Sequence, residues 1–177
     1  MCFRYNHELT KTYKSKDEPI KLYKCYQLST KKPKPVFISP FRVWDATVFL
    51  SATEVIAKHP EDWTSSYVHV IPLSLEADGK IVQTRGLHCF LTKDTADVFA
   101  DAFNDKRVID ETKVFVFEVE SHTKDIFAVG STPGHTSLDC PKHRDTEFPT
   151  VISTKINITQ EEYNRVTALL KDNNVYR

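Results

Sequence analysis

Gly86-Leu87-His88-Cys89-Phe90-Leu91-Thr92-Lys93-Asp94-Thr95-Ala96-Asp97-Val98-Phe99-Ala100-Asp101-Ala102-Phe103 is the stretch that decides the fold class. Leu87 to Leu91 is an apolar run of strand length opened by a glycine. Thr92 is placed to cap a helix, and Ala96, Phe99, Ala102 and Phe103 then recur at helical spacing on one face. The period changes from strand to helix within a residue or two, so a buried strand leads directly into a helix with one apolar side.

Outward from this pair, the pattern is mostly that of strands. Ile20 to Gln27 (IKLYKCYQ) has β-branched and aromatic content, and Pro33 and Pro35 stop the ladder because proline has no N–H to donate. Val36 to Ser39 predicts a short second strand. Ser51-Ala52-Thr53-Glu54 fits a capping box for a helix over about 52–58. Tyr67 to Leu73 predicts a strand, joined through the turn at Ala77-Asp78-Gly79-Lys80 to Ile81–Arg85 as a hairpin. Lys113 to Glu120 (KVFVFEVE) alternates, with Val114, Val116 and Glu118 on one face and Phe115, Phe117 and Val119 on the other. Ile126 to Val129 is a further extended piece, and 130–149 has no periodicity and is expected to be a long irregular loop. Val151 to Ile158 suits an edge strand with one wet face. Thr159-Gln160-Glu161-Glu162 opens a last helix with a stripe of Tyr163, Val166, Leu169 and Leu170. The expected fold is α+β, a single domain with a mainly antiparallel sheet and two or three short helices packed on it. Residues 1–18 are set apart as a basic arm anchored by Phe3 and Tyr5, leaving 19–177 as the domain.

Bulk composition narrows the function classes. With 177 residues the chain can bury one core without staples, and 24 basic against 24 acidic residues leave no net charge to recruit nucleic acid or an anionic membrane. The charge is uneven, because residues 1–35 carry nine Lys or Arg against three Asp or Glu. Cys2, Cys25, Cys89 and Cys140 are too widely spread for a stapled scaffold and are expected to be reduced thiols. No apolar segment approaches the ~20 residues of a membrane helix, and the start of the chain has no signal-like apolar region. A cytoplasmic, membrane-free protein is expected.

Three clusters could carry chemistry. His122, His135, Cys140 and His143 offer imidazole and thiolate ligands for zinc, although an H-x4-C-x2-H run is not a known zinc pattern. His88 lies beside Cys89, but neighbours in a strand point to opposite faces and cannot act as a nucleophile and base pair. Glu118 and Glu120 share a strand face, and Glu147 lies beyond the irregular segment, so Glu118 and Glu147 join His88 as catalytic candidates by acid and base chemistry. The polar residues His135, Asp139, Lys142 and Arg144 would instead make the 130–149 segment a surface for a ligand or partner. Walker, dinucleotide-binding, zinc-protease, nucleophile-elbow and C-x-x-C motifs are all absent from the sequence.

The pieces MCFR, KLYKCY, FISPF, GLHCF with the TKDTADVFADAF helix, VFVFEVE and VISTKINIT, taken in order, resemble a group of small uncharacterised proteins of bacteriophages and gut bacteria. The resemblance implies a phage or mobile-element context, in the cytoplasm of the host cell, and no catalytic activity. GLHCF with its helix is also similar to a part of the ADP-ribosyltransferase scaffold, which implies NAD binding with Glu147 or Glu118 as the acid. The strand that would match that scaffold's first, KLYKCYQ, lacks its His or Arg. The leading expectation is a non-enzymatic binding or inhibitory module acting on a host protein or a small polar ligand, without a cofactor. The alternatives are a transferase-like NAD-binding enzyme and a zinc-stabilised structural domain.

Overall fold

The computed structural model describes residues 2–29, 36–38, 50–51, 65–66, 75–83, 86–106, 112–134 and 141–172. Eleven strands succeed one another in these segments: β1 (Cys2–Tyr5), β2 (Pro19–Ser29), β3 (Val36–Ile38), β4 (Leu50–Ser51), β5 (Ser65–Ser66), β6 (Ile81–Gln83), β7 (Leu87–Phe90), β8 (Thr112–His122), β9 (Ile126–Pro133), β10 (Glu147–Ser153) and β11 (Lys155–Ile158). Three α-helices accompany them: α1 (His7–Lys14), α2 (Lys93–Lys106) and α3 (Gln160–Asp172). The chain is one α+β domain, mostly antiparallel sheet, as its pattern predicts.

The sheet runs in the order β5-β11-β8-β2-β7-β10-β9-β1-β6, with β3 and β4 added beside β2. Two long ladders dominate. β2 pairs with β8 from Pro19 opposite His122 to Ser29 opposite Thr112, and β9 pairs with β10 from Ile126 to Pro133. These halves meet where Tyr23 of β2 stands opposite Phe90 of β7. Alternation assigns the two faces. Leu22, Leu87, Cys89, Phe117, Val119, Val129 and Val151 build one core, and Cys25, Phe90, Val114 and Phe148 build another under Ala96, Phe99 and Ala102 of α2. The rings of Phe90 and Phe99 lie 4.9 Å apart, and Phe148 meets Phe99 edge-on at 5.6 Å. Thr92 Oγ1 accepts the Thr95 N–H at 3.2 Å and caps α2 as its sequence predicts.

The structure departs from the sequence pattern in four places. The basic arm is not separate: β1 lies between β6 and β9, Phe3 and Tyr5 are buried, and α1 packs on β9. The cause is polar as much as apolar. Asn6 Oδ1 caps α1 by accepting the Leu9 N–H at 2.8 Å, and the buried Thr10 hydroxyl accepts the Val129 N–H at 2.9 Å. Second, 130–149 is not one irregular loop. β9 continues to Pro133 and β10 begins at Glu147, and the Gly134 N–H donates to the Thr146 carbonyl at 2.8 Å, so the stem of this excursion is tied. Third, Val151 to Ile158 is no edge strand: β10 is interior with Val151, Ile152 and Ser153 fully buried, and the chain breaks at Thr154 before β11 joins β8. Fourth, the described partner of β6 is β1. The expected helix over 52–58 and strand over 67–73 lie outside the described residues.

Candidate functional site

Three strands converge on Glu147. Ser131 of β9 stands opposite both Arg4 of β1 and Pro149 of β10, and Glu147, two residues before Pro149, projects from the same face. Arg4 donates to Glu147 Oε1 through Nε at 3.4 Å and Nη2 at 3.3 Å, the Ser131 hydroxyl donates to Oε2, and Arg4 Nη1 donates to the Gly79 carbonyl at 3.1 Å. The carboxylate is held from both sides yet remains 42% exposed. It opens on a cleft of about 400 Å³ with Leu9, Leu91 and Pro149 in its walls and Asp78 at its margin. No sequence pattern marks Arg4 or Ser131 as a site residue, since only the register of three distant strands unites them.

Glu118 occupies a different cleft, of about 570 Å³, between α2 and α3. Its carboxylate pairs with Lys21 Nζ at 2.9 Å. Its backbone N–H donates to Glu162 Oε1 at 3.1 Å, and Glu162 is clasped by Arg165, whose Nη2 also donates to the Val116 carbonyl at 2.7 Å. The sequence pattern has Glu162 closing a capping box; Thr159 Oγ1 does accept its N–H at 3.1 Å, but the glutamate side chain is used on the sheet. Glu120, on the same strand face, is exposed.

His88 is fully buried, and its Nδ1 lies 3.0 Å from the Gly86 carbonyl, which fixes the proton on that nitrogen because a carbonyl only accepts. Burial first, then the nearby Lys24 charge, pushes its pKa down to about 3. The ring lines none of the clefts around Glu147, Glu118 or α1. Lys24 is itself buried, 1% exposed, and donates to the His88 carbonyl at 2.9 Å with its Nζ 5.7 Å from the Tyr26 ring centre. Its inward position is present in the alternation of Ile20, Leu22, Lys24 and Tyr26, where a lysine stands at an apolar place.

No family model, curated protein or solved structure matches this chain.

The three catalytic candidates are therefore not brought together: His88 is in the core, and Glu118 and Glu147 belong to separate clefts. Of the zinc candidates, His135 and Cys140 lie outside the described residues, as does Asp139. His122 sits at the end of β8, where its Nδ1 accepts the Lys124 N–H at 3.3 Å, and the His143 ring lies 6.2 Å from that of Phe148. Among the described residues no group of three or more His, Cys, Asp or Glu is arranged to hold a metal ion, and no helix is long and apolar enough to cross a membrane. Lys142 and Arg144 are exposed in the tied excursion between β9 and β10. Glu147, at the foot of that excursion, links the expected loop surface to a formed cleft.

Proposed function

We propose that the protein is a non-enzymatic binding module, inhibitory towards a host protein in a phage or mobile-element setting, and that the cleft around Glu147 receives a basic side chain of that partner. The observation that carries this is the Arg4–Glu147–Ser131 arrangement: a carboxylate pre-positioned by two donors, with solvent access and apolar walls. Such an acceptor needs no reorganisation to take a third donor, and a carboxylate favours a charged one. Glu147 and Asp78 against Arg4 leave the cleft one unit negative. Lys142 and Arg144 on the neighbouring excursion would supply the rim of such an interface. The transferase alternative has less support, because its candidate acids stand in separate clefts and His88 is withdrawn from both.

Titration of the full chain with N-acetyl-argininamide, followed by amide chemical shifts, tests the reading. Saturable shifts at Leu91, Ser131 and Glu147 that vanish in Glu147→Ala are expected. Absence of saturable shifts at the cleft, or turnover of NAD or another nucleotide by the pure protein, would overturn it.

A further inference from the structure

The unevenness of charge in the first 35 residues is spatial as well as sequential. α1 carries Lys11 and Lys14 one turn apart, and both side chains, with His7, line a cleft of about 650 Å³ between α1 and β9. The rest of its lining is Tyr5, Thr10, Ser15 and Phe127, so among the described residues no carboxylate faces it. This is the reverse of the Glu147 cleft, which lies across α1 on the side of Leu9. Neither Lys11 nor Lys14 forms an ion pair among the described residues, whereas Arg4, Lys16, Lys21, Lys93 and Arg165 all do.

The floor of the cleft is rigid while its rim is charged. Tyr5 and Thr10 are each 5% exposed. Thr10 is locked by its hydroxyl, which donates to the Asn6 carbonyl at 2.7 Å and accepts from Val129. Tyr5 Oη lies 3.3 Å from His7 Nδ1, and the two rings meet edge to face at 6.1 Å, which orients the imidazole. A fixed polar floor, an aromatic wall from Phe127 and a rim of two ammonium groups with an imidazole suit a ligand that is anionic at one end and apolar at the other.

The geometry points to a second binding site here, for a phosphate monoester joined to an apolar group. Lys11, Lys14 and His7 face the phosphate, and Tyr5 and Phe127 face the apolar part. The volume accommodates a small organic molecule. The same chemistry occurs on a soluble aryl phosphate and on a phosphatidic acid headgroup, and the two sources are separable.

The full chain is titrated at low ionic strength with phenyl phosphate, phenol and inorganic phosphate, and is separately sedimented with phosphatidylcholine vesicles with and without phosphatidic acid. Phenyl phosphate is expected to give saturable amide shifts at His7, Thr10 and Phe127, with an affinity about tenfold above that of phenol or inorganic phosphate. The double variant Lys11→Glu, Lys14→Glu is expected to lose about tenfold or more, and Lys93→Glu, Lys155→Glu, which reverses two exposed lysines that line neither cleft, less than about twofold. Vesicle binding that needs phosphatidic acid and is lost in the α1 double variant assigns the lipid source; binding confined to phenyl phosphate assigns the soluble one. Failure in both arms, equal affinity for phenol, or equal loss in the two double variants overturns the proposal. Because the Glu147 cleft is not touched by these variants, retained N-acetyl-argininamide binding distinguishes failure of this site from failure of the partner cleft.

Discussion

Asn104 of α2 closes on both backbone groups of Val114 in β8: the Val114 N–H donates to Asn104 Oδ1 at 2.7 Å, and Asn104 Nδ2 donates to the Val114 carbonyl at 3.2 Å. A side-chain amide thus stands where a neighbouring strand would stand. β11 pairs with β8 at Glu120 and Val119, Glu162 and Arg165 of α3 take Glu118 and Val116, and Asn104 takes Val114. A row of backbone groups that could template pairing with another chain is covered by side chains from two helices.

Removing that amide exposes two hydrogen-bonding groups at a partly buried edge. Asn104→Ala is expected to cost about 1–3 kcal/mol in urea unfolding and to raise the tendency to self-associate. Asn104→Asp keeps an acceptor for the Val114 N–H but sets a carboxylate against the Val114 carbonyl, so it should recover only part of the loss. An unchanged unfolding midpoint in Asn104→Ala would show that the edge is satisfied in some other way.

Gly130 stands opposite Tyr5, and a Cβ built there would fall on the Arg4 carbonyl oxygen and press on the Phe3 ring. Backbone cannot yield as a flexible side chain can. Gly130→Ala is expected to cost about 2–4 kcal/mol and to loosen β1 from β9, read as faster amide exchange at Tyr5 and Ser131. Protection equal to that of the parent chain would contradict the close approach.

Acid should weaken the fold through His88. Its pKa is lowered from 6.5 to about 3, so the unfolded chain binds a proton as pH falls through 6.5 while the folded chain does not until near 3. The stability contributed by the neutral ring is present above pH 6.5 and is lost as the solution is acidified. Between pH 7 and pH 5 the loss from this residue is expected to be about 2 kcal/mol, and His88→Asn, which keeps a donor for the Gly86 carbonyl, should flatten the dependence. Urea midpoints at the two pH values, compared between the two chains, measure it.

Cys25 and Cys89 are fully buried thiols, and burial pushes the Cys25 thiol well above its usual range. Neither should react with a thiol reagent in the native protein, and both should react at once in denaturant. Peptide mapping after brief alkylation reads each site separately, and native labelling at the rate of a free thiol would contradict their burial.

Legibility in the sequence depends on the kind of force that places each element. β7 with α2, and β8, are positioned by apolar alternation and helical spacing, which sequence displays directly. α1 has almost no apolar stripe: its inward residue is Thr10, and a hydroxyl that meets a strand's backbone leaves no mark in a hydropathy pattern. Val151 to Ile158 reads as a wet edge because apolar and polar residues alternate in it, with Ser153 among the polar ones and Thr150 just ahead of the segment. Both are buried and satisfied: the Thr150 hydroxyl donates to Thr132 Oγ1 at 3.0 Å, and Ser153 Oγ lies 2.8 Å from Ser121 Oγ. Glu147 can be singled out as a carboxylate, but its partners are 143 and 16 residues away in the chain, and only strand register joins them.

The placing of β1 between β6 and β9 also orders events during synthesis. Cys2–Tyr5 is made long before Ile81–Gln83 and Ile126–Pro133, the two strands that must flank it. Until those later residues leave the ribosome, Phe3 and Tyr5 have no site to enter, and most of the nascent chain must wait with its opening strand unseated. The closing of this sheet is therefore a late step in which Cys2–Tyr5, made before either flanking strand, is seated between them. A bulky fusion immediately before Cys2 would act on that step more than on the finished fold.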